Sequence, residues 1–459
     1  MTGIASSSRP DRPRIFYGWP LVGVAWLLYG LQVAGFYSWG FYLPEMSRDL
    51  GLSRASGGVV FGVVTFCGGA AAPLVGMAIG RFGLRAVMTA GFAVSALGYL
   101  ATSRAQSFWY LLVVYGIFTA GTHAFCTLIP TQTLASTWFV RYRARVMAVL
   151  LGSAGIIAPL IYMSNAKLLQ VATWRTGWVL IGVLNLVLAA IALAFVRNSP
   201  EAIGQRPDGA PPPVEGAPTA RSPSAAGTQG ASRKGRPEPA AVAAAAAAEG
   251  FTTGQALRTP QFFLMVICGL GYSVPWGVLN NHSRLHLQDI GFELEAAAAI
   301  LSSMALVSTF GRLSGALGDF LSPPRLLGGA LLLEGLGCGL FLIATTPVRA
   351  YAAVILVGLG FGTAFISQAA TFAQFFGRRA FATTTGVRFF VGAFFSAFAP
   401  GLAGWLFDVR GSYTLPFLGL MTLSLIGAAI ALTIRPPRPP AAAPEHGALT
   451  PATAASPAG

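Results

Sequence analysis

The 459-residue chain is 54% hydrophobic and only 10% charged, with a mean hydropathy of +0.64; a soluble domain carries roughly a quarter charged residues, so this is an integral membrane protein. Its net charge of +15 does not mark a nucleic-acid partner, because the basic residues lie between apolar runs rather than in a stripe on a soluble domain. No G-x-x-x-x-G-K-[ST] phosphate loop, metal-binding cluster or nucleophile constellation occurs, which argues against an ATPase or any other enzyme, and no cofactor or metal is expected.

Arg9, Arg12 and Arg14 precede an apolar run too long for the core of a signal peptide, so the first helix is expected to be retained. Runs long enough to cross a bilayer follow at 16–44, 57–80, 84–103, 108–138, 144–170 and 175–196, then at 260–288, 294–320, 324–345, 349–376, 380–407 and 411–435. Runs this uniformly apolar can satisfy their backbone in lipid only as helices. The expected organisation is a cytoplasmic N-terminus (1–15), a six-helix bundle (16–196), a disordered cytoplasmic linker rich in Pro, Ala, Gly and Ser (197–258), a second six-helix bundle (259–435) and a disordered tail (436–459). Lys and Arg divide twenty to eight between the two sides, which puts both termini in the cytoplasm of a multi-pass plasma-membrane protein, or of an inner-membrane protein if the source is bacterial. His282, Arg284 and His286 fall at the outer end of the seventh run and are expected at the surface. The four cysteines stand singly in apolar runs and read as packing residues.

The halves repeat. The loop Gly80-Arg81-Phe82-Gly83 is echoed by Gly318-Asp319, WFVRYRA from Trp138 by FFGRRA from Phe375, and Pro159 by Pro400, each about 240 residues later. Two related six-helix halves are the signature of a secondary transporter with its site at their interface. Twenty and eight leave two of the thirty basic residues, Arg312 and Arg388, both inside helices. A cation at that depth costs several kcal/mol, about 3 or more, so each should face protein or a water-filled cavity and act there. Glu334 is the one acid in the middle of a run, and His123 stands mid-run among small residues; either can carry a coupled proton. Polar groups such as Tyr37, Tyr272, Asn280 and Gln368 can orient a small ligand, with Tyr37 preferred for its place in the first run.

The loop after the second run, with its weaker copy after the eighth, resembles the signature loop of the major facilitator superfamily. YGW at Tyr17, RNSPEAIGQRPDG at 197–209, FGRLSGALGD at 310–319 and APGLAGWLFDVRGSY at 399–413 are similar to its monocarboxylate porter and oxalate/formate antiporter branch. The resemblance implies an all-α membrane protein of twelve transmembrane helices in two pseudo-symmetric bundles. It implies a helix-8 arginine holding the substrate carboxylate, matched by Arg312, and lining positions for helices 8 and 11, hence for Arg388. Asp319 and Arg81 match the gating loop, although Gly80 replaces the acid of the first copy. Ser308 and Tyr37 stand where proton-linked lactate carriers have an aspartate and a lysine. With a second arginine on helix 11, that departure favours an anion with two acidic groups, or anion exchange. The expected function is alternating-access transport of small organic carboxylates, driven by a proton or a counter-anion, by a protein acting as a monomer in the bilayer. A drug or other non-carboxylate carrier and a non-transporting sensor are the competing readings.

Overall fold

The computed structural model describes residues 16–209, 251–314, 321–377 and 381–437. Twelve helices long and apolar enough to cross a membrane fill the described chain. They are α1 (Gly18–Leu50), α2 (Arg54–Phe82), α3 (Leu84–Thr102), α4 (Phe108–Trp138), α5 (Arg143–Val171) and α6 (Trp174–Phe195) in the first half. The second half holds α7 (Pro260–Asp289), α8 (Leu294–Leu313), α9 (Pro323–Leu342), α10 (Pro347–Phe376), α11 (Phe381–Arg410) and α12 (Thr414–Thr433). Local chemistry sets the boundaries. Gly51 ends α1 in the left-handed region, at φ 63°, Ser53 caps α2 through the Ser56 amide, and Thr259 with Pro260 opens α7.

The halves meet along three seams, α1 with α7, α2 with α11 and α5 with α8. Exchanging the halves maps the second seam onto the third and the first onto itself, which is the two-fold relation the sequence repeat anticipates. Glycine lets the backbones touch: a Cβ on Gly62 would collide with the Ala397 carbonyl, one on Gly40 with that of Asn280, and one on Gly155 with that of Ala305. α4 is irregular. It is π-helical over Leu112–Thr119, turns 3₁₀ at Ala124–Cys126, and leaves helical geometry at Thr127.

Two sequence expectations change. Disorder was expected from residue 197, yet 197–209 fold as a strap beneath the first half, because its polar side chains meet backbone amides that the helix ends leave unpaired. Asn198 accepts from the Arg85 amide (2.9 Å), Gln205 from that of Tyr17 (2.9 Å) and Asp208 from those of Val140 and Arg141 (3.0 and 2.7 Å). Residues 251–258 are ordered too, with a Thr252–Gln255 capping box, whereas 210–250 lie outside the described residues. The expected surface residues of the seventh run are buried: His282 is 0%, Arg284 2% and His286 6% exposed. α7 runs to Asp289, and all three side chains find partners on the other helices packed around it.

Candidate functional site

Both ends of the described bundle lie at one face of the molecule, here the terminal face. The opposite face is sealed by pairs that cross between the halves. Arg54 at the start of α2 forms a bidentate pair with Asp289 at the end of α7 (2.5 and 2.7 Å), and its guanidinium lies 3.6 Å from the Phe407 ring centre. Asp408 on α11 accepts from the Arg54 and Ala55 amides (3.2 and 2.9 Å), so one half caps a helix of the other. Deeper in, Arg284 on α7 forks onto Glu45 of α1 (2.6 and 2.5 Å) and also donates to the Phe41 carbonyl. Trp39 donates to Asn281 (2.9 Å), and His282 bonds both the Pro400 carbonyl (2.8 Å) and the Tyr413 hydroxyl (3.0 Å).

Beneath this seal lies a cavity of about 260 Å³ between the halves, walled by α1, α2, α7, α10 and α11, with Arg388 in its lining. A cleft of about 900 Å³ adjoins it in the terminal-face half, sharing Phe365, Phe389 and Ala393 as walls. Arg388 is 6% exposed, and its Nη1 donates to Gln368 Oε1 (2.6 Å), while Gln368 Nε2 donates to the Met265 carbonyl (2.6 Å). Gln368 is thus fixed as an acceptor, and it holds the guanidinium at the cavity edge. Gly269 makes room there, since a Cβ would come within 2.9 Å of Gln368 and 3.3 Å of Arg388.

Arg312 is half-buried, its Cζ 5.8 Å from the ring centres of both Phe361 and Phe365, two residues of the cavity wall. Its Nη1 donates across the seam to the Leu151 carbonyl of α5 (2.8 Å). The Nε of each arginine is buried without a hydrogen-bond partner, and among the described residues no carboxylate pairs with either or lines the cavity. Among the described residues, two membrane-embedded cations thus lack a carboxylate partner.

The remaining candidates are not all drawn together. Tyr37 packs between Phe36 and Tyr162, at ring distances of 5.6 and 5.4 Å. Asn280 lies in the α1–α7 seam, donating to the Trp276 carbonyl (2.7 Å) and accepting from Tyr162 (3.4 Å). His123 Nδ1 accepts from Gln32 Nε2 (2.8 Å) and lies 3.4 Å from the Tyr99 hydroxyl, beside a void of about 20 Å³ that shares Phe36 with the larger cavity. Glu334 is fully buried on α9 against Gly360 of α10, in no ion pair with either arginine, and neither carboxyl oxygen has a hydrogen-bond partner. Arg81 is exposed, its Cζ 5.4 Å from the Phe82 ring centre, and pairs with no acid among the described residues; Asp319 lies outside them.

The sealing residues Glu45, Arg54, Arg284, Asp289 and Asp408 were not singled out from sequence. The available signal was the recurrence of single charges of opposite sign at helix ends on one side of the membrane. It identifies a charged rim but not which residue meets which.

Comparisons with known proteins agree with this architecture. Over 362 residues the chain is 27% identical to bovine (Bos taurus) monocarboxylate transporter 13, covering 77% of this chain and 74% of the relative. Over 434 residues it is 26% identical to human (Homo sapiens) monocarboxylate transporter 11, covering 90% and 82%. Its fold superposes on the crystal structure of a bacterial homologue of the human lysosomal transporter Spinster, in an inward-facing and occupied conformation, with a TM-score of 0.65 at 14% identity, covering 93% of this chain and 97% of that one. The Major Facilitator Superfamily model matches residues 25–400 and 313–457, and the chain is a transporter belonging to that superfamily.

Proposed function

We propose that this transporter carries small organic carboxylates by alternating access and that Arg388 binds the anion. The observation supporting this is the pair of arginines without a carboxylate partner among the described residues, one of them in the lining of the inter-bundle cavity. A buried guanidinium retains its charge, and an anionic ligand supplies the missing acceptor in bidentate form. Arg312, with one donor on the Leu151 carbonyl, adds a second positive field across the Phe361–Phe365 pair and links the anion to the α5–α8 seam. The monocarboxylate transporters among its relatives support the same substrate class.

In this reading the Arg54–Asp289 and Arg284–Glu45 pairs are the closed gate of one state, and the cleft beside the cavity is the open path of the same state. Both termini, the bundle ends and the open path face the cytoplasm, in line with the excess of positive charge on that side. The unit of transport is the monomer. Arg312→Gln in proteoliposomes is expected to remove most carboxylate uptake while the protein still elutes as a single species. Uptake that survives unchanged would move the reading to a drug or other non-carboxylate carrier, and ligand binding without flux would indicate a sensor.

The driving force is a proton or a counter-anion. His123 is the candidate proton carrier, since it lies one residue's width from the cavity through Phe36. His123→Gln keeps a polar partner for Gln32 but cannot bind the proton. Under symport it is expected to flatten the pH dependence of uptake while leaving carboxylate exchange intact; an unchanged pH profile would assign the coupling to exchange.

A further inference from the structure

We infer that the preferred substrate is a monocarboxylate bearing a flat aromatic body. This rests on the anion reading above and narrows it. Beyond Arg388, the cavity wall is built from rings: Phe36 and Phe61 from the first half, and Tyr272, Trp276, Phe361 and Phe365 from the second. Trp276 and Phe361 stack at 3.9 Å with their planes 9° apart, which presents broad, fixed aromatic surface to the cavity. Aromatic pairs add stabilisation beyond the area they bury, so such a wall rewards a ring more than a methyl group.

Apart from Arg388 the wall holds no charged donor: Tyr272 and Trp276 carry only neutral ones, and its other polar side chains are engaged. Ser273 and Ser396 bond each other (3.0 Å), and Thr65 donates to the Phe61 carbonyl (3.1 Å). A second carboxylate placed among the rings would therefore lose its water without gaining a charged donor there, which is strongly unfavourable. One guanidinium in the lining suits one acidic group. At about 260 Å³ the cavity leaves lactate or oxalate loosely held, whereas one ring with a short acidic side chain occupies more of it and reaches its aromatic wall.

The test is a thermal-shift titration of the purified full-length chain in detergent with phenylacetate, lactate, oxalate and the neutral phenylacetamide, since a ligand of the folded state raises its apparent stability with concentration. Phenylacetate is expected to give the same shift at a concentration about tenfold or more below that of lactate or oxalate. Lactate or oxalate acting at equal or lower concentration would overturn the aromatic body while leaving the carboxylate reading in place. Phenylacetamide acting as well as phenylacetate would overturn the carboxylate reading itself, and with it this proposal. Absence of any shift from phenylacetate would also overturn it. As a second arm, Phe361→Leu is expected to weaken the response to phenylacetate more than the response to lactate and so erase most of the preference; an unchanged preference would contradict the assignment of the wall.

Discussion

Arg388→Gln is expected to abolish carboxylate uptake without lowering the thermal midpoint of the ligand-free protein. The side chain is buried in the bilayer-spanning part of α11, neutralised by no carboxylate among the described residues, and bonded through Nη1 to Gln368. Removing such a lone cation relieves a desolvation cost that offsets the lost bond to Gln368 Oε1. Folding therefore loses little or gains, whereas the anion loses its charged donor. Truncating one partner of a buried charged contact costs about 2–5 kcal/mol, or about 30- to 5,000-fold in affinity. A residue kept against its own stability cost is a residue kept for function. Uptake and melting measured on the same preparation check both parts, and a variant that unfolds would contradict the first of them.

The second large effect is expected at the seal. Glu45→Gln leaves Arg284, whose side chain is 1% exposed, without its counter-charge, still held by the Phe41 carbonyl. Breaking a buried pair from one side costs about 3–5 kcal/mol. That loss falls on the conformation in which α1 and α7 touch, so the variant should shift towards the state open at the Arg54 face as well as melt earlier. The double variant Glu45→Gln, Arg284→Gln removes both charges and should recover much of the loss, because no uncompensated cation remains. Equal destabilisation of the single and double variants would mean that Glu45 acts by packing and not by charge. The Arg54–Asp289 pair is more exposed, at 19% and 34%, and its removal should cost less.

The helices and halves were legible in the sequence because a bilayer leaves a long apolar run no other way to satisfy its backbone, and the repeat of Pro159 at Pro400 exposed the duplication. Arg312 and Arg388 were legible for the same reason, since a charge inside such a run is costly enough to stand out. The seal was not. Glu45 falls just past the end of the first apolar run and Arg284 near the end of the seventh, and nothing local says that helices so far apart in sequence bring these two together. The aromatic wall was hidden too. In a membrane helix the faces towards lipid and towards protein are both apolar, so Phe36 and Phe361 at the cavity look no different in sequence from Phe395 and Phe398, which are 53% and 62% exposed. The two arginines taken alone favoured an anion with two acidic groups; the surroundings of Arg388 favour one. The strap at 197–209 reads as polar linker, and its order comes from amide partners that become visible only when α1, α3, α4 and α6 lie side by side.

The most direct test of the central claim is carboxylate binding measured side by side on the native protein and on Arg388→Gln, with the matched neutral amide as control. Phenylacetate is expected to raise the melting temperature of the native protein, the shift to be lost in Arg388→Gln, and phenylacetamide to move neither. An equal shift by the acid in both proteins would contradict the claim that Arg388 holds the anion.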